Sequence, residues 1–153
     1  DLATPLDELD GMGTEMARQN AFLVMGSRVQ LLGRAIRRRS GRHYLGRVFA
    51  RAASMTLSLP VYDTQCGAKL FRADEVAREI LAAPFTSRWV FDVEILARLQ
   101  AYDRRNRTRL AREAVVEYPL RRWRDVGDSK LKPGDGLRAG ADLARIAWKA
   151  RIG

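Results

Sequence analysis

A loop that enters a strand carries the side chains of this sequence that are best suited to chemistry. Residues 63–71 read DTQCGAKLF, so small and polar residues run directly into a β-type segment. Asp63, Gln65 and Lys69 sit where such a loop can direct an acid, an amide and an amine into one cleft. Gly67 has no side chain and would let another group approach the backbone closely. These residues are therefore the first candidates for a functional site.

Two further segments carry polar groups at positions that a fold could bring to the same cleft. Residues 89–96 read WVFDVEIL and place the acids Asp92 and Glu94 at the start of a predicted helix. Positions two apart on a helix point in different directions, so we expect one acid to face the cleft and the other to pair elsewhere. Residues 124–130 read RDVGDSK and form a polar segment after the last predicted strand.

Arginine accounts for most of the charge. The chain has 24 Arg and 4 Lys against 18 acidic residues, and its net charge is +10. A guanidinium is a planar fork of donors that can bond phosphate oxygens two at a time. The charge therefore predicts an anionic partner, namely nucleic acid, a phosphorylated small molecule or an anionic membrane surface.

Cysteine and histidine are nearly absent from the sequence. Cys66 is the single cysteine and His43 the single histidine, which excludes a disulfide framework, a thiolate cluster and a histidine-rich zinc site. We expect Cys66 to pack as a small buried residue. No run of apolar residues is long enough to span a bilayer, so a soluble, reducing compartment is the default expectation.

Alternating helices and strands must position these groups. The apolar run 22–25 predicts a buried strand that ends at Gly26 and presents Ser27 and Arg28 at its C-terminal end. The other predicted elements are helices from Thr4 as N-cap, over 44–57, from Asp74 as N-cap to Ala83, over 91–102 and over 133–151, strands over 68–71 and 114–118, and a polar loop over 121–132. Pro119 favours an edge position for the last strand. The result is one continuous α/β unit.

The three polar segments, in this order, resemble the second half of family 2 glycosyltransferases of the dolichyl-phosphate glucosyltransferase type. Those enzymes carry D-T-Q-C-G-x-K-L-F, W-x-F-D-x-E-L and G-S-K blocks, and residues 26–28 match their G-S-R turn. The opening DLATP is similar to the end of their metal-binding D-A-D-L-A-T-P segment. The resemblance covers nearly all of residues 1–153. It implies part of a single GT-A (Rossmann-like) domain, the acceptor-binding C-terminal half, with a mixed sheet and flanking helices.

This resemblance implies an activity as well as a fold. The expected reaction is an inverting transfer of a sugar, glucose from UDP-glucose, to a polyprenyl or dolichyl phosphate. The expected location is cytoplasmic, peripheral at the inner face of an anionic membrane. The nucleotide-binding half would precede residue 1, so these residues by themselves are expected to bind a nucleotide sugar poorly and to be inactive.

The resemblance also implies roles for individual residues. Asp1 would bind Mg²⁺ or Mn²⁺, which bridges the donor diphosphate. The acceptor phosphate would be held by Arg28, Arg42, Ser129 and Lys130.

A catalytic acid is implied near Asp92, with Asp63 as a second candidate. An alkyl phosphate has a second pKa of about 6, so its attacking oxygen is largely deprotonated at neutral pH. Such a nucleophile requires positioning more than it requires a general base. We therefore expect Asp92 or Asp63 to orient the acceptor or the arginines, and Arg28 to neutralise charge.

Two other readings of the sequence stay open. A nucleic-acid-binding module would explain the charge, although no helix-turn-helix, zinc-finger or aromatic RNA-binding signature accompanies it. A non-catalytic binder of lipid phosphate or of a membrane surface is the other. The last predicted helix mixes Arg138, Arg145 and Trp148 with apolar residues, and such a helix can lie on an anionic membrane or pack on the core.

Overall fold

The computed structural model of the protein describes residues 3–37, 57–87, 90–124 and 135–152. Its helices are α1 (Glu8–Arg18), α2 (Glu75–Ala82), α3 (Phe91–Asn106), α4 (Leu110–Glu113) and α5 (Asp135–Ile152). Its strands are β1 (Leu23–Ser27), β2 (Ala35–Arg37), β3 (Lys69–Phe71), β4 (Val115–Pro119) and β5 (Arg122–Arg124). The mixed α/β architecture agrees with the prediction and is consistent with part of a Rossmann-like GT-A domain. Outside the described residues lie the predicted site residues Asp1, Arg42, Ser129 and Lys130 and nearly all of the helix predicted over 44–57.

The main sheet is mixed and has the order β3-β1-β4. β1 runs antiparallel to β3 and parallel to β4, with Ser27 opposite Pro119. All five residues of β1 are buried, which is why the sequence there is continuously apolar rather than alternating. Within the described residues β4 is an edge strand, as Pro119 predicted. The C-terminal ends of β1 and β4 coincide, so Arg28 emerges beside the end of β4.

A second, two-stranded sheet corrects the sequence prediction. β2 and β5 pair in parallel, with Ala35 opposite Arg122 and Arg37 opposite Arg124. The polar loop predicted over 121–132 is therefore wrong for the three residues of β5, and β2 was not predicted at all. Each strand is three residues long and contains arginine, so no apolar run marks it. β2 and β5 form strands because the tertiary fold brings them together and they pair with each other.

Both faces of the central strand are covered. Leu23 and Met25 pack into a core with α3, α4 and α5, whereas Val24 packs into a second core with Met12 of α1. This division follows from the alternation of side chains along a strand. α5 contributes buried Leu143 and Ile146 to the first core, so these two apolar positions serve packing, whereas Trp148 is exposed. None of the described helices is both long and apolar enough to cross a membrane.

The helix boundaries show where tertiary contacts override local signals. The predicted N-cap at Thr4 is wrong, because α1 begins only at Glu8. The Arg124 N–H bonds the Ala3 carbonyl at 3.1 Å, and the Glu8 carboxylate accepts the backbone N–H groups of Arg121 and Arg122 at the start of β5. Residues 3–7 are therefore held against the second sheet. The cap at Asp74 is confirmed, since its side chain accepts the Ala77 N–H at 3.0 Å. α3 runs one turn further than predicted.

Candidate active site

An ion pair at the end of β1 forms the centre of the candidate site. The Asp63 carboxylate accepts hydrogen bonds from Nε and one Nη of Arg28, each at 2.7 Å, and from the Arg28 backbone N–H at 3.1 Å. The Asp63 side chain is 7% exposed and that of Arg28 is 22% exposed. Asp63 thus fixes the plane of a guanidinium that still reaches the surface. Bidentate pairs of this kind are among the strongest and most directional contacts in proteins.

A glutamate on β4 fixes the loop that carries Asp63. The Glu117 carboxylate accepts the backbone N–H of Tyr62 and that of Asp63, both at 2.8 Å. Sequence reasoning missed Glu117. The only signal for it was a single acid within the otherwise apolar VVEYP strand.

The second sheet also contacts the ion pair. The Arg28 guanidinium lies over the indole of Trp123, 5.1 Å from its centroid. Trp123 belongs to β5, which sequence reasoning placed in a loop, so this contact was not predicted. A cation over an aromatic face contributes about 0.5–2 kcal/mol, depending on how far it is desolvated. Asp63 and Trp123 together restrict the guanidinium to one orientation.

A second, more deeply buried ion pair lies close enough to the first to interact with it electrostatically. Lys69 Nζ is 2.6 Å from Asp92 Oδ1, and the two side chains are 5% and 8% exposed. Lys69 also donates to the carbonyls of Thr64, at 3.2 Å, and Cys66, at 2.6 Å. One ammonium therefore joins the loop before β3 to the first turn of α3.

Burial and neighbouring charges have opposite effects on the pKa values of Arg28 and of Asp92. Burial disfavours the charge on Arg28, but the hydrogen bonds and charge of Asp63 outweigh it and raise the pKa of the guanidinium. Burial raises the pKa of the Asp92 carboxyl, and the positive charges of Lys69 and Arg28 oppose that rise. Each ion pair therefore influences the other, and the four residues act as one electrostatic unit.

Two hydroxyl groups next to this unit lack partners. Ser27 precedes Arg28 and Thr64 follows Asp63, and the hydroxyl oxygen of each is buried with no hydrogen-bond partner among the described residues. Leaving such a group unpaired costs about 1–3 kcal/mol. The fold therefore tolerates a local cost at this end of the sheet.

Comparison with known proteins finds relatives that match the whole chain. Over 158 aligned positions the chain is 31% identical to the dolichyl-phosphate beta-glucosyltransferase ALG5C of Trichomonas vaginalis, an alignment that covers 100% of this chain and 44% of that protein. The chain is a homologue of the dolichyl-phosphate β-glucosyltransferases.

Two further glucosyltransferases of that name confirm the relationship. The chain is 33% identical to one from Drosophila melanogaster over 140 residues, which is 86% of this chain and 37% of that protein. It is 35% identical to one from Dictyostelium discoideum over 94 residues, which is 61% of this chain and 25% of that protein. The chain thus spans less than half the length of these curated relatives. No family model and no solved structure matches it.

In this homologue of the glucosyltransferases, the remaining predicted site residues, Gln65 and Glu94, differ in their relation to the cluster. Gln65 is half-buried in the loop between Asp63 and Lys69. Glu94 does not join the cluster, because it accepts the Thr86 N–H at 2.8 Å and pairs with Arg98 at 2.9 Å. The two acids at the start of α3 thus point to different partners, as their spacing predicts.

Two glycines of the site differ in their surroundings. A Cβ at Gly67 would meet no atom of the described residues within 4 Å, so the space beside its backbone is open, and the close approach of another group there stays a prediction. At Gly26 a Cβ would instead lie 3.0 Å from the Ala68 Cβ and 3.2 Å from the Cys66 sulfur. Gly26 is therefore the residue that allows β1 to pack against the loop, and Cys66 is buried there as expected.

The described residues do not assemble a metal centre. No group of three histidine, cysteine or carboxylate side chains within residues 3–37, 57–87, 90–124 and 135–152 could hold a metal ion. Asp1, the predicted ligand, lies outside these ranges. Binding of Mg²⁺ or Mn²⁺ stays a prediction.

Proposed function

We propose that this chain forms the acceptor-binding part of a glycosyltransferase that transfers a sugar from a nucleotide donor to a polyprenyl or dolichyl phosphate. The observation that carries the proposal is the Arg28 guanidinium, fixed by Asp63 at the end of β1 and reaching the surface. The named activity of the homologous glucosyltransferases supports glucose as the sugar and dolichyl phosphate as the acceptor. UDP-glucose is the donor that we propose.

The proposed chemistry is a single displacement. An oxygen of the lipid phosphate attacks the anomeric carbon of the sugar, the new C–O bond forms, and the bond to the nucleotide diphosphate breaks with inversion. Arg28 holds and partly neutralises the attacking phosphate. That phosphate has a second pKa of about 6 and is already largely deprotonated at pH 7, so it requires positioning more than a general base. Asp63 serves this reaction by orienting Arg28.

The buried pair has a supporting part in the proposal. A bare carboxylate close to a phosphate dianion would repel it, because like charges close together raise each other's energy. Lys69 offsets the charge of Asp92 at 2.6 Å. We therefore assign Asp92 and Lys69 to shaping the floor of the site.

A tight turn after Arg28 supports a lipid-bearing partner. The Arg34 N–H bonds the Leu31 carbonyl at 3.0 Å, and Gly33 supplies the positive φ of 79° that this turn needs. The turn places Leu32 fully in solvent and leaves Leu31 half exposed. Exposed leucines close to an arginine, here Arg34, fit a membrane surface that carries anionic lipids. We accordingly propose a peripheral location at the cytoplasmic face of a membrane.

We also propose that Asp1 is one ligand of a divalent cation.

A transfer assay tests the proposal. The whole protein is incubated with radiolabelled UDP-glucose and polyprenyl phosphate in detergent, and label is measured in the organic phase. We expect a lipid product from which mild acid releases glucose, and none with the unphosphorylated polyprenol. GDP-mannose and UDP-N-acetylglucosamine test the choice of donor. Retained binding of the lipid phosphate without transfer from any donor would contradict catalysis and support a binding protein.

A further inference from the structure

Glu117 occupies an unusual place in the sheet. It is the third residue of β4, lies opposite Met25 of β1, and interrupts a strand whose other residues are largely apolar. Its carboxylate leaves the strand and accepts two consecutive backbone N–H groups, those of Tyr62 and Asp63, at 2.8 Å each. One carboxylate thus fixes the backbone at the position from which the Asp63 side chain departs.

The loop that Glu117 holds lies outside the helices and strands. Residues 58–68 are anchored in part by buried side chains, among them Leu59 and Cys66, and in part by individual hydrogen bonds. Lys69 holds the second half of this loop through the carbonyls of Thr64 and Cys66. Glu117 holds the first half. The placement of the Asp63 carboxylate therefore depends on a bond made by a residue of β4.

The contacts form a relay across three elements. Glu117 on β4 fixes the Asp63 backbone, and the Asp63 carboxylate fixes the Arg28 guanidinium at the end of β1 with two bonds of 2.7 Å. We propose that Glu117 is a positioning residue for the acceptor phosphate, acting through Asp63 on Arg28. This inference rests on the proposed function, in which Arg28 binds that phosphate.

Substitution by glutamine tests the relay with little change of shape. The glutamine oxygen can accept one N–H, whereas its NH₂ group cannot accept the other and faces a donor. Asp103 provides a matched control, because its carboxylate also accepts two consecutive backbone N–H groups, from Leu110 at 2.9 Å and Ala111 at 2.8 Å. Asp103 lies about 16 Å along α3 from Asp92, at 1.5 Å per residue. Asp103→Asn therefore removes the same kind of contact far from the site.

The experiment uses the whole protein and farnesyl phosphate, a short and soluble polyprenyl phosphate. We expect Glu117→Gln to raise KM for farnesyl phosphate about tenfold and to leave kcat and the donor KM within about twofold, the pattern of lost binding rather than lost chemistry. Asp103→Asn should leave all three constants unchanged. Amide hydrogen exchange of Tyr62 and Asp63 should become faster in Glu117→Gln alone, which reports the relay without reference to activity.

The outcomes separate this inference from the function on which it rests. An unchanged KM for farnesyl phosphate in Glu117→Gln, together with a raised KM in Arg28→Ala, overturns the positioning role and leaves the proposed function intact. An unchanged KM in Arg28→Ala overturns both. Both the positioning role and the proposed function are supported if KM rises in Arg28→Ala and in Glu117→Gln, amide exchange at Asp63 becomes faster in Glu117→Gln, and Asp103→Asn changes none of the three constants.

Discussion

Asp63 and Arg28, 35 positions apart in the chain, share three hydrogen bonds. Two join the carboxylate to the guanidinium at 2.7 Å, and the third joins it to the Arg28 backbone N–H at 3.1 Å. The acid therefore controls both the side chain and the point where it leaves β1. A guanidinium held in this way is organised before any phosphate arrives, so less entropy is lost on binding.

Breaking the buried Lys69–Asp92 pair should cost much more stability than breaking an exposed ion pair. Lys69→Met should lower the free energy of unfolding by about 3–5 kcal/mol, because the charge of Asp92 stays buried without a partner. Arg105→Met is the matched control, since it breaks an ion pair with Glu79 in which both side chains are more than half exposed. Its cost should be at most about 1 kcal/mol. Urea denaturation measures both, and equal losses would contradict the account of the Lys69–Asp92 pair.

Two glycines of α1 should respond in opposite directions to alanine. A Cβ at Gly11 would collide with the Tyr118 hydroxyl, whereas a Cβ at Gly13 would meet nothing within 4 Å. Gly13→Ala should therefore stabilise the protein by about 0.5–1 kcal/mol, the gain in helix propensity. Gly11→Ala should destabilise it by about 1–3 kcal/mol, because α1 or Tyr118 must move. Thermal unfolding of the two variants decides the point, and stabilisation by Gly11→Ala would refute the packing of α1 on β4.

The parts of the fold that the sequence predicted correctly have local causes. β1 is a continuous apolar run because it is buried on both faces, and the α2 cap depends on a side chain three residues from its partner. The parts that were missed depend on distant residues. β2 and β5 have no apolar pattern and are stabilised by pairing with each other, and α1 begins late because Glu8 bonds the backbone at the start of β5.

The candidate site shows the same division. Asp63 and Arg28 were each identified as candidates from sequence and resemblance, but nothing local shows that they bond each other. Glu117 was missed because its partners lie 54 and 55 positions away. Asp92 and Glu94 were expected to diverge, since helix geometry alone determines that. The periodicity of a helix or strand thus predicts the direction of a side chain, whereas its bonding partners become visible only in the folded structure.

Cys66 should be protected from alkylation. The side chain is fully buried, and that burial raises the pKa of its thiol above the ordinary value of 9.0. The thiolate is the reactive form, so a higher pKa leaves less of it at any given pH. Between pH 7 and 9, iodoacetamide should label the native protein at least about tenfold more slowly than the protein in guanidinium chloride. Mass spectrometry measures the rates, and similar rates in both states would show that Cys66 is accessible.

The turn that exposes Leu32 should contribute to membrane binding. Leu32→Glu removes an apolar side chain whose burial is worth about 1.5–3 kcal/mol, so binding to vesicles containing phosphatidylglycerol should fall at least about tenfold. Leu81→Glu is the control, because Leu81 is a partly exposed leucine on α2. Vesicle co-sedimentation measures both variants. The same loss for both, or for neither, would argue against this turn as the contact.

The most direct test of the proposed function is the substitution Arg28→Ala in the whole protein. Transfer of sugar to a polyprenyl phosphate and binding of the donor nucleotide are measured side by side, with Arg105→Ala as a surface-arginine control. We expect Arg28→Ala to reduce transfer by at least about a hundredfold while donor binding changes by less than about twofold, because Arg28 is proposed to contact the acceptor and not the donor. Unchanged transfer in Arg28→Ala would contradict the claim that this arginine holds the acceptor phosphate.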